Sequence, residues 1–397
     1  MGKSAGESSL SEKQCSLSNG SMECVNKALI PGLPDELALL CLVMISHGYL
    51  GVLKCVCKRW RDVIGSEYYA SYKSRMGRCG DWVFFWDGGI QHQWKAYDPE
   101  ADRWHDMPSM PRLNDDSHFG FSCVSACNRF LVIGGAYAND NPDNEPIVTN
   151  RVQSFDPFRQ EWSEVATMST PRAKFACSVI GGKVYVGGGC SSLFTDGLSS
   201  AEVYDPVNDR WDDLPPLPNP MAHCFGISYN GKFHILECTY GQSTMEYSQL
   251  DKQWCSRDDM WLRPLDILVR REIVVINDHI YAVKNNDEEK LVEAFNTQTG
   301  DWLHLGSVPP VILPDRPPIH KYFGYGVCGL RNKLYVMGGS VTEVDDRGLI
   351  HINMGKLRAM RVCDLSSTPL QWRETRPIPG HARAWILACS SLEELLS

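Results

Sequence analysis

One stretch decides the fold of this chain: residues 175–212, FACSVIGGKVYVGGGCSSLFTDGLSSAEVYDPVNDRWD. Its first part is β-rich and is interrupted by Gly181-Gly182, a two-residue signal of a β-hairpin turn. After a polar loop, two further short runs flank the turn sequence at 205–209. The stretch therefore predicts four consecutive antiparallel strands. They are expected at residues 175–180, 183–186, 201–204 and 210–212.

The aromatic residue and the tryptophan that flank this last turn recur along the chain. In five places an aromatic residue precedes a tryptophan by seven positions. The pairs are Tyr97 with Trp104, Phe155 with Trp162, Tyr204 with Trp211, Tyr247 with Trp254, and Phe295 with Trp302. Trp372 extends the series, whose members follow at intervals of about 40 to 70 residues, near the spacing of propeller blades. We expect each tryptophan to fill an equivalent site between neighbouring blades.

Paired glycines mark the end of the second strand in several copies. Glycine permits backbone conformations that other residues avoid, and it lets the next strand approach closely. The pairs are Gly88-Gly89, Gly134-Gly135, Gly188-Gly189 and Gly338-Gly339. The fourth and fifth copies lack a pair but keep the aromatic-to-tryptophan spacing, so we count six blades.

The first copy lacks an opening strand, because residues 81–86 already lead into a glycine pair. Residues 384–388 form a predicted strand that has no blade of its own. We predict that this strand pairs beside residues 82–85 and closes the ring, which removes two open sheet edges. The expected fold class is mainly β: a six-bladed propeller over residues 79–390, closed by a C-terminal strand and followed by a tail at 391–397.

Composition narrows the partners of this chain. A formal charge of −9 over 397 residues opposes binding to nucleic acid, and no membrane partner is predicted. The basic cluster Lys54, Lys58, Arg59 and Arg61 is expected to be a solvated helix face. The 16 cysteines, without a signal peptide or a regular spacing, predict free thiols in a reducing compartment. Residues 1–28, rich in Ser, Gly, Glu and Lys, predict a disordered arm.

Residues 29–75 differ from the repeats and predict a small helical module. Leu33 and Pro34 precede two acidic residues, which suits the start of a helix. Leu33, Leu37, Leu40 and Met44 then recur at helical spacing, and a second apolar run extends to Ile64. Two or three short helices fit this pattern. So short a module leaves much apolar surface exposed when it stands alone, which favours a partner.

The order of motifs in this module resembles the F-box. The diagnostic pieces are Leu33-Pro34 and the run Val56-Cys57-Lys58-Arg59-Trp60. The resemblance implies docking on a Skp-type adaptor of a cullin-RING ubiquitin ligase. It implies apolar adaptor contacts, some of them instead internal packing, at Leu33, Pro34, Leu37, Leu42, Leu50, Val56, Cys57 and Trp60. The alternative is a helical cap folded onto the propeller.

The repeats resemble kelch repeats, and the whole chain after residue 28 is similar to plant F-box/kelch-repeat proteins. The resemblance implies a substrate receptor of an SCF-type ligase that presents a protein for ubiquitination and degradation, in the cytosol or nucleus. A kelch scaffold that does not degrade its partner is an alternative, and a kelch-fold metal oxidase is a more remote one.

Four variable loops are candidates for substrate binding, because long loops on a rigid ring are typical binding elements. They span residues 136–149, 191–200, 309–321 and 341–357. The candidate contact residues within them are Tyr137, Asp140, Asp143, Phe194, Asp315, Arg316 and His320. Arg112 and Arg172, each after a proline, are expected to be structural parts of the repeat.

No motif predicts catalysis, a cofactor or a metal. The residues 324–329 match GxGxxG, but the predicted strand that follows offers no helix N-terminus for a dinucleotide. Eleven histidines are scattered singly, and each, including His118 and His223, is expected to be a satisfied strand residue.

Overall fold

The computed structural model describes most of the chain with several gaps. The described residues are 28–76, 78, 80–86, 94–111, 118–138, 145–192, 197–237, 243–257, 272–286, 288–314, 317–320, 324–344, 350–379 and 388–392. The predicted arm up to residue 27 lies outside them. So do the pair Gly88-Gly89 and Arg112.

The helical module contains four α-helices and one 3-10 turn. Pro34 occupies the position directly before the first helix and makes no side-chain capping hydrogen bond, and two acidic residues occupy the first turn, as predicted. The helices are α1 (Asp35–Val43), α2 (Leu50–Val56), α3 (Lys58–Ile64) and α4 (Glu67–Arg75), with a 3-10 turn at His47–Tyr49. No single described helix is long and apolar enough to cross a membrane. Only α1 and the segment His47–Val56 taken together reach the required length and composition, and this pair is bent by 107°.

The module has its own apolar core, and α4 packs against this core although its sequence has no apolar repeat. Leu42, Leu50 and Ile64 are buried together. The Tyr69 hydroxyl of α4 donates to the carbonyl of Leu42 at 2.9 Å, and the buried Lys73 ammonium donates to the carbonyl of Val43 at 2.7 Å. These bonds satisfy carbonyls at the C-terminal end of α1, which a helix leaves without internal partners. α4 therefore locks α1 in place.

Six four-stranded antiparallel sheets form the blades of a propeller, in agreement with the prediction. Blade 1 comprises β1 (Trp82–Trp86), β2 (Lys95–Asp98) and β3 (Arg103–Asp106), together with a strand from the C-terminal part of the chain. Blade 2 comprises β4 (Ser122–Ala126), β5 (Arg129–Ile133), β8 (Val152–Asp156) and β9 (Glu161–Val165). Between its second and third strands, blade 2 carries a short hairpin of β6 (Ala136–Tyr137) and β7 (Ile147–Val148). Blade 3 comprises β10 (Ala176–Ile180), β11 (Lys183–Gly187), β12 (Ala201–Asp205) and β13 (Arg210–Leu214). Each lies within two residues of its predicted bounds.

The remaining blades repeat this order. Blade 4 comprises β14 (Cys224–Tyr229), β15 (Lys232–Glu237), β16 (Thr244–Ser248) and β17 (Gln253–Ser256); blade 5 comprises β18 (Glu272–Ile276), β19 (His279–Asn285), β20 (Lys290–Asn296) and β21 (Asp301–Ser307). Blade 6 comprises β22 (Gly326–Leu330), β23 (Lys333–Met337), β26 (Met360–Asp364) and β27 (Gln371–Glu374), with a hairpin of β24 (Ser340–Val344) and β25 (Ile350–Lys356). The divergent fourth and fifth copies are thus complete blades.

The C-terminal strand closes the ring. β28 (Ala388–Leu392) pairs antiparallel with β1, so that Trp82 faces Leu392 and Trp86 faces Ala388. The innermost strands β28, β4, β10, β14, β18 and β22 contact one another in a closed circle. The closure prediction is confirmed, although the strand begins at residue 388 and extends to 392, into the segment predicted as a tail.

The repeated tryptophans join neighbouring blades. Each of the five predicted aromatic partners lies directly across the strand pair from its tryptophan. The Trp211 indole N–H of blade 3 donates at 2.8 Å to the carbonyl of Ala166, which follows blade 2. Trp104, Trp162 and Trp254 make the same bond to carbonyls of the preceding blade or its connection. These four tryptophans therefore combine apolar packing with a hydrogen bond between blades.

The two ends of the blades differ. Turns between the first and second strands, and between the third and fourth, lie at one end, which we call the hairpin face. On this face the turns of successive blades touch: the backbone N–H of Asn230 donates to Asp278 at 2.6 Å, and Asn277 donates to Asn332 at 3.3 Å. The connections between second and third strands, and between blades, lie at the opposite end, the loop face.

Candidate functional site

The helical module exposes an apolar strip. Leu37 on α1 and Met44, directly after its last residue, are each 50% exposed, and Val52 and Val56 on α2 are 66% and 58% exposed. Leu33, just before α1, is 36% exposed. Exposed aliphatic side chains grouped on one small module are typical of a docking surface for another protein. We call these five residues the apolar strip.

The residues predicted to contact an adaptor fall into two groups. Leu33, Pro34, Leu37, Val56 and Cys57 are exposed. Leu42 and Leu50 are almost completely buried in the module core. Trp60 is half-buried, and its indole N–H donates to the carbonyl of Leu29 at 2.7 Å. Leu42 and Leu50 therefore support the surface from beneath.

Polar contacts brace the start of α1 beside the strip. The Leu29 backbone N–H donates to the Asp35 carboxylate at 2.8 Å, and the Arg59 guanidinium also donates to this carboxylate. Both interactions hold the pKa of Asp35 below its usual value. The Cys57 thiol accepts the backbone N–H of Trp60 at 3.4 Å and so caps α3. The predicted basic cluster is thus partly engaged within the module.

The module is docked on the hairpin face of blades 1 and 2. His47 is buried, with its ring 4.7 Å from that of Phe158 and 6.2 Å from that of Trp82. Ser46 donates to Asp98, and the Lys54 ammonium donates to the carbonyl of Arg159 at 3.1 Å. The apolar strip remains exposed, so the propeller does not cover it.

The tightest part of this junction is the approach of the 3-10 turn to β3. The ring of His105 lies 5.7 Å from Trp82, stacked at 23°, and 5.4 Å from Tyr49, edge-on. A Cβ atom on Gly48 would lie 2.2 to 2.3 Å from three atoms of the His105 ring. Burial lowers the pKa of His105. Only a glycine fits at position 48 without displacing this ring.

A cavity of about 250 Å³ lies beside this junction, between the module and blade 2. Ile64, Ser66 and Glu67 line it from the module, and Arg129 and Phe158 line it from the propeller. Arg129 pairs with Asp156 at 3.2 Å. The guanidinium and the carboxylate in the wall therefore neutralise each other.

All four predicted binding loops belong to the loop face, because each joins second to third strands or one blade to the next. Tyr137 is half-buried on β6, beside Ile147, which is 59% exposed on β7. His320 is exposed in the connection between blades 5 and 6. The other candidate contact residues lie outside the described residues: Asp140, Asp143, Phe194, Asp315 and Arg316. The module and the loops therefore occupy opposite faces of the ring.

Two buried arginines hold loop-face connections. Arg172 is fully buried, and its guanidinium donates to the carbonyl of Gly188 at 3.0 Å and to the carboxylate of Glu202 at 2.8 Å. Arg361 is also buried and donates to the carbonyl of Pro310 at 2.9 Å. The structural role predicted for Arg172 is thereby confirmed, and the connection containing Pro310 gains a fixed anchor.

His118 departs from the expectation of a satisfied strand residue. It is 4% exposed and precedes β4 in the connection from blade 1 to blade 2. Its Nε2 lies 2.9 Å from the carbonyl oxygen of Gly134, whereas Nδ1 has no hydrogen-bond partner among the residues that the structure describes. The single histidines in the sequence gave no signal that this one differs. Within the same residues, no three His, Cys, Asp or Glu side chains are grouped to hold a metal ion.

Comparisons with known proteins match both parts of the chain. The F-box domain model matches residues 30–70, and the kelch motif model matches residues 171–218. An F-box/kelch-repeat protein of Arabidopsis thaliana is 43% identical over 383 residues, which cover 94% of this chain and 99% of that protein. The F-box/kelch-repeat protein SKIP30 of the same plant is 27% identical over 371 residues, covering 92% and 97%. The solved structure of YjhT has 13% identity and a TM-score of 0.49, covering 71% and 91%.

Proposed function

This chain belongs to the F-box/kelch-repeat family, and we propose that it is the substrate receptor of an SCF-type ubiquitin ligase. The apolar strip binds a Skp-type adaptor, and the loop face of the propeller binds a protein to be ubiquitinated. The observation that carries this proposal is the exposure of the apolar strip on a module that is otherwise fixed to the propeller. The receptor itself performs no bond chemistry. It raises the effective concentration of a substrate lysine near the conjugating enzyme.

Adaptor binding is tested by co-expressing the full chain with a Skp-type adaptor and measuring co-purification. Leu37→Asp places a charge within the strip at a position that is 50% exposed, so we expect it to abolish capture without unfolding the module. Val207→Asp is the matched control, because Val207 is 81% exposed on a propeller turn. The proposal fails if the unaltered chain binds no adaptor homologue, or if both variants bind alike.

A receptor and a scaffold are distinguished by whether the proteins that they bind are degraded. Partners found by proximity labelling with the unaltered chain should accumulate when Leu37→Asp replaces it, and a proteasome inhibitor should have the same effect. A scaffold would bind the same partners while their abundance stayed constant. Among the described residues no group of metal-ligating side chains favours the metal-oxidase alternative, and metal analysis of the pure protein tests it.

We also propose a location in the cytosol or nucleus. Exposed thiols at Cys41, Cys55 and Cys57 suit a reducing compartment. Microscopy of the tagged full chain tests this, and a signal confined to the secretory pathway would contradict it.

A further inference from the structure

Five aromatic side chains meet where blades 1 and 2 adjoin at the loop face. Trp86 ends β1, Trp94 precedes β2, His118 and Phe121 precede β4, and Tyr137 lies on β6. We call these five residues the seam cluster. Phe121 links its two halves, with its ring 6.0 Å from Trp94 and 4.4 Å from His118. The cluster is therefore continuous across the two blades.

The His118 ring is held in a slot. It stacks on Phe121 at 20° and on Tyr137 at 10°, with both ring centroids 4.4 Å away. Gly135 forms the floor, since a Cβ atom there would lie 2.6 Å from Nε2 of His118. Gly135 also has a φ of +96°, a backbone conformation that residues with a side chain rarely adopt. Both the close contact with His118 and the backbone conformation therefore require glycine at this position. One member of the predicted glycine pair thus makes room for the histidine.

The hydrogen bond to Gly134 assigns the tautomer of this ring. A carbonyl oxygen only accepts, so Nε2 carries the proton. Burial lowers the pKa of His118 to about 4, which keeps the ring neutral at pH 7. Nδ1 is then a lone-pair acceptor, and it has no donor among the described residues. Trp94, which is 1% exposed, is the opposite case: its indole N–H is a donor that has no acceptor among the described residues.

Buried polar atoms without partners are rare, and they need an explanation such as a ligand or an ordered water. Tyr137 stacks on the face of the His118 ring and is half-buried on a strand of two residues, so its displacement would widen the slot, while a donor would reach the Nδ1 lone pair along the edge of the ring, in the ring plane. Phe121, in contrast, is wedged against Trp86 and Trp94. Beside Tyr137, its strand partner Ile147 offers an exposed apolar contact. An incoming group would thus meet an acceptor and an apolar shelf together.

We propose that the slot at His118 is the part of the loop face that recognises substrate. It takes a peptide segment that donates a hydrogen bond to Nδ1 of His118 and places an apolar side chain against Ile147, with the ring of Tyr137 displaced. This inference rests on the proposed function, since it names the class of substrate contact for the same face. It assigns specificity to the boundary of blades 1 and 2.

The test uses random peptides displayed on phage and selected on the full-length protein. His118→Phe keeps a flat ring in the slot and removes the acceptor. We expect the selected peptides to bind this variant about fivefold or more weakly, because a peptide donor is left unpaired. His304→Phe, at an exposed position on β21, is the control and should bind as the unaltered protein does. Ile147→Asp, on the exposed shelf, should weaken the same peptides, and it tests the site if His118→Phe folds poorly.

A spectroscopic readout separates recognition from general folding. In the ¹⁵N-labelled protein, a selected peptide should shift the Nδ1 resonance of His118 far more than the Nε2 resonance, which already has its partner. The inference is overturned if no peptide distinguishes the unaltered protein from His118→Phe and Ile147→Asp, or if bound peptides leave Nδ1 unchanged. Adaptor co-purification is measured independently. Its loss would reject the ligase role, whereas failed peptide selection with intact adaptor binding would reject only this site.

Discussion

Replacement of Gly48 by alanine should loosen the helical module from the propeller. The new Cβ would lie 2.2 to 2.3 Å from the His105 ring, far inside van der Waals contact. That ring is held by Trp82 on one side and Tyr49 on the other, so either the ring leaves its stack or the module lifts away. Overpacking of this kind costs about 1–3 kcal/mol. The ratio of docked to undocked molecules should therefore fall roughly 5- to 150-fold.

Gly51→Ala is the matched control, three residues further along the same chain segment. A Cβ at Gly51 meets no atom within 4 Å, and the residue lies inside α2. Alanine there should be neutral or should stabilise the helix by about 0.5–1 kcal/mol. A second control combines Gly48→Ala with His105→Ala, which removes the obstructing ring and should restore much of the docking.

Undocking is measured by the radius of gyration in small-angle X-ray scattering and by protease cleavage between residues 76 and 81. Gly48→Ala should raise both the radius and the cleavage rate, while Gly51→Ala should leave them unchanged. If the two alanine variants behave alike in both assays, the close packing of Gly48 against His105 is not what holds the module.

Three further outcomes follow from buried groups and from ring closure. The pKa of His118 is about 4 in the fold against 6.5 in an unfolded chain, so the unfolded state binds more protons between these values; the contribution of His118 should lower the stability by about 3 kcal/mol as the pH falls from above 6.5 to 4, and denaturant titrations should find the acid loss of His118→Phe smaller by about this amount. Arg172→Met should cost about 3–5 kcal/mol in urea unfolding because it leaves the buried Glu202 carboxylate without its counter-ion. Adding Glu202→Leu should recover only part of this loss, because the carbonyls of Gly188 and Ser200 stay without the donor that Arg172 provided, and a double variant no more stable than Arg172→Met would contradict the reasoning. Deletion of residues 381–397 removes β28 and should lower stability by about 3 kcal/mol or more, and an unchanged thermal midpoint would oppose the closing role of that strand.

The propeller could be predicted because its signals are local and repeated. Gly181-Gly182 fixes a hairpin with positive φ at both residues, and the aromatic-to-tryptophan spacing places Tyr204 opposite Trp211. Residues 384–387 of the predicted closing strand lie outside the described residues, and the described strand runs four residues beyond the predicted end at residue 388. A closing strand has no hairpin turn to fix its register, which depends instead on pairing with β1, more than 300 residues earlier in the sequence.

The helical module was predicted less completely, because part of it is held by polar side chains. α4 lacks an apolar repeat, and its burial depends on Tyr69 and Lys73 reaching the end of α1. Leu42 and Leu50 match the F-box pattern as well as Leu37 does, yet they are buried. Sequence spacing identifies the helical face but not which of its residues the core encloses.

The slot at His118 could not be predicted, although Tyr137 and Gly135 were each singled out for other reasons. It requires the segment that contains His118 and Phe121 to meet the segment that contains Gly135 and Tyr137, and a lone histidine in the sequence carries no trace of that meeting. The docking of the module is a similar case, since nothing in the sequence marks Gly48 as the residue that lies against the His105 ring.

Ring closure also determines when the protein can complete its fold during synthesis. Blade 1 bears Trp82, Asp98 and His105, which receive the module, but its innermost strand, β28, is translated after the other described strands of the six blades. The helical module precedes the blades in the sequence, so it must wait until all six have left the ribosome before the blade on which it docks is finished. A chain terminated before β28 would carry the apolar strip on an incomplete ring, and we expect such products to aggregate along the unpaired side of β1.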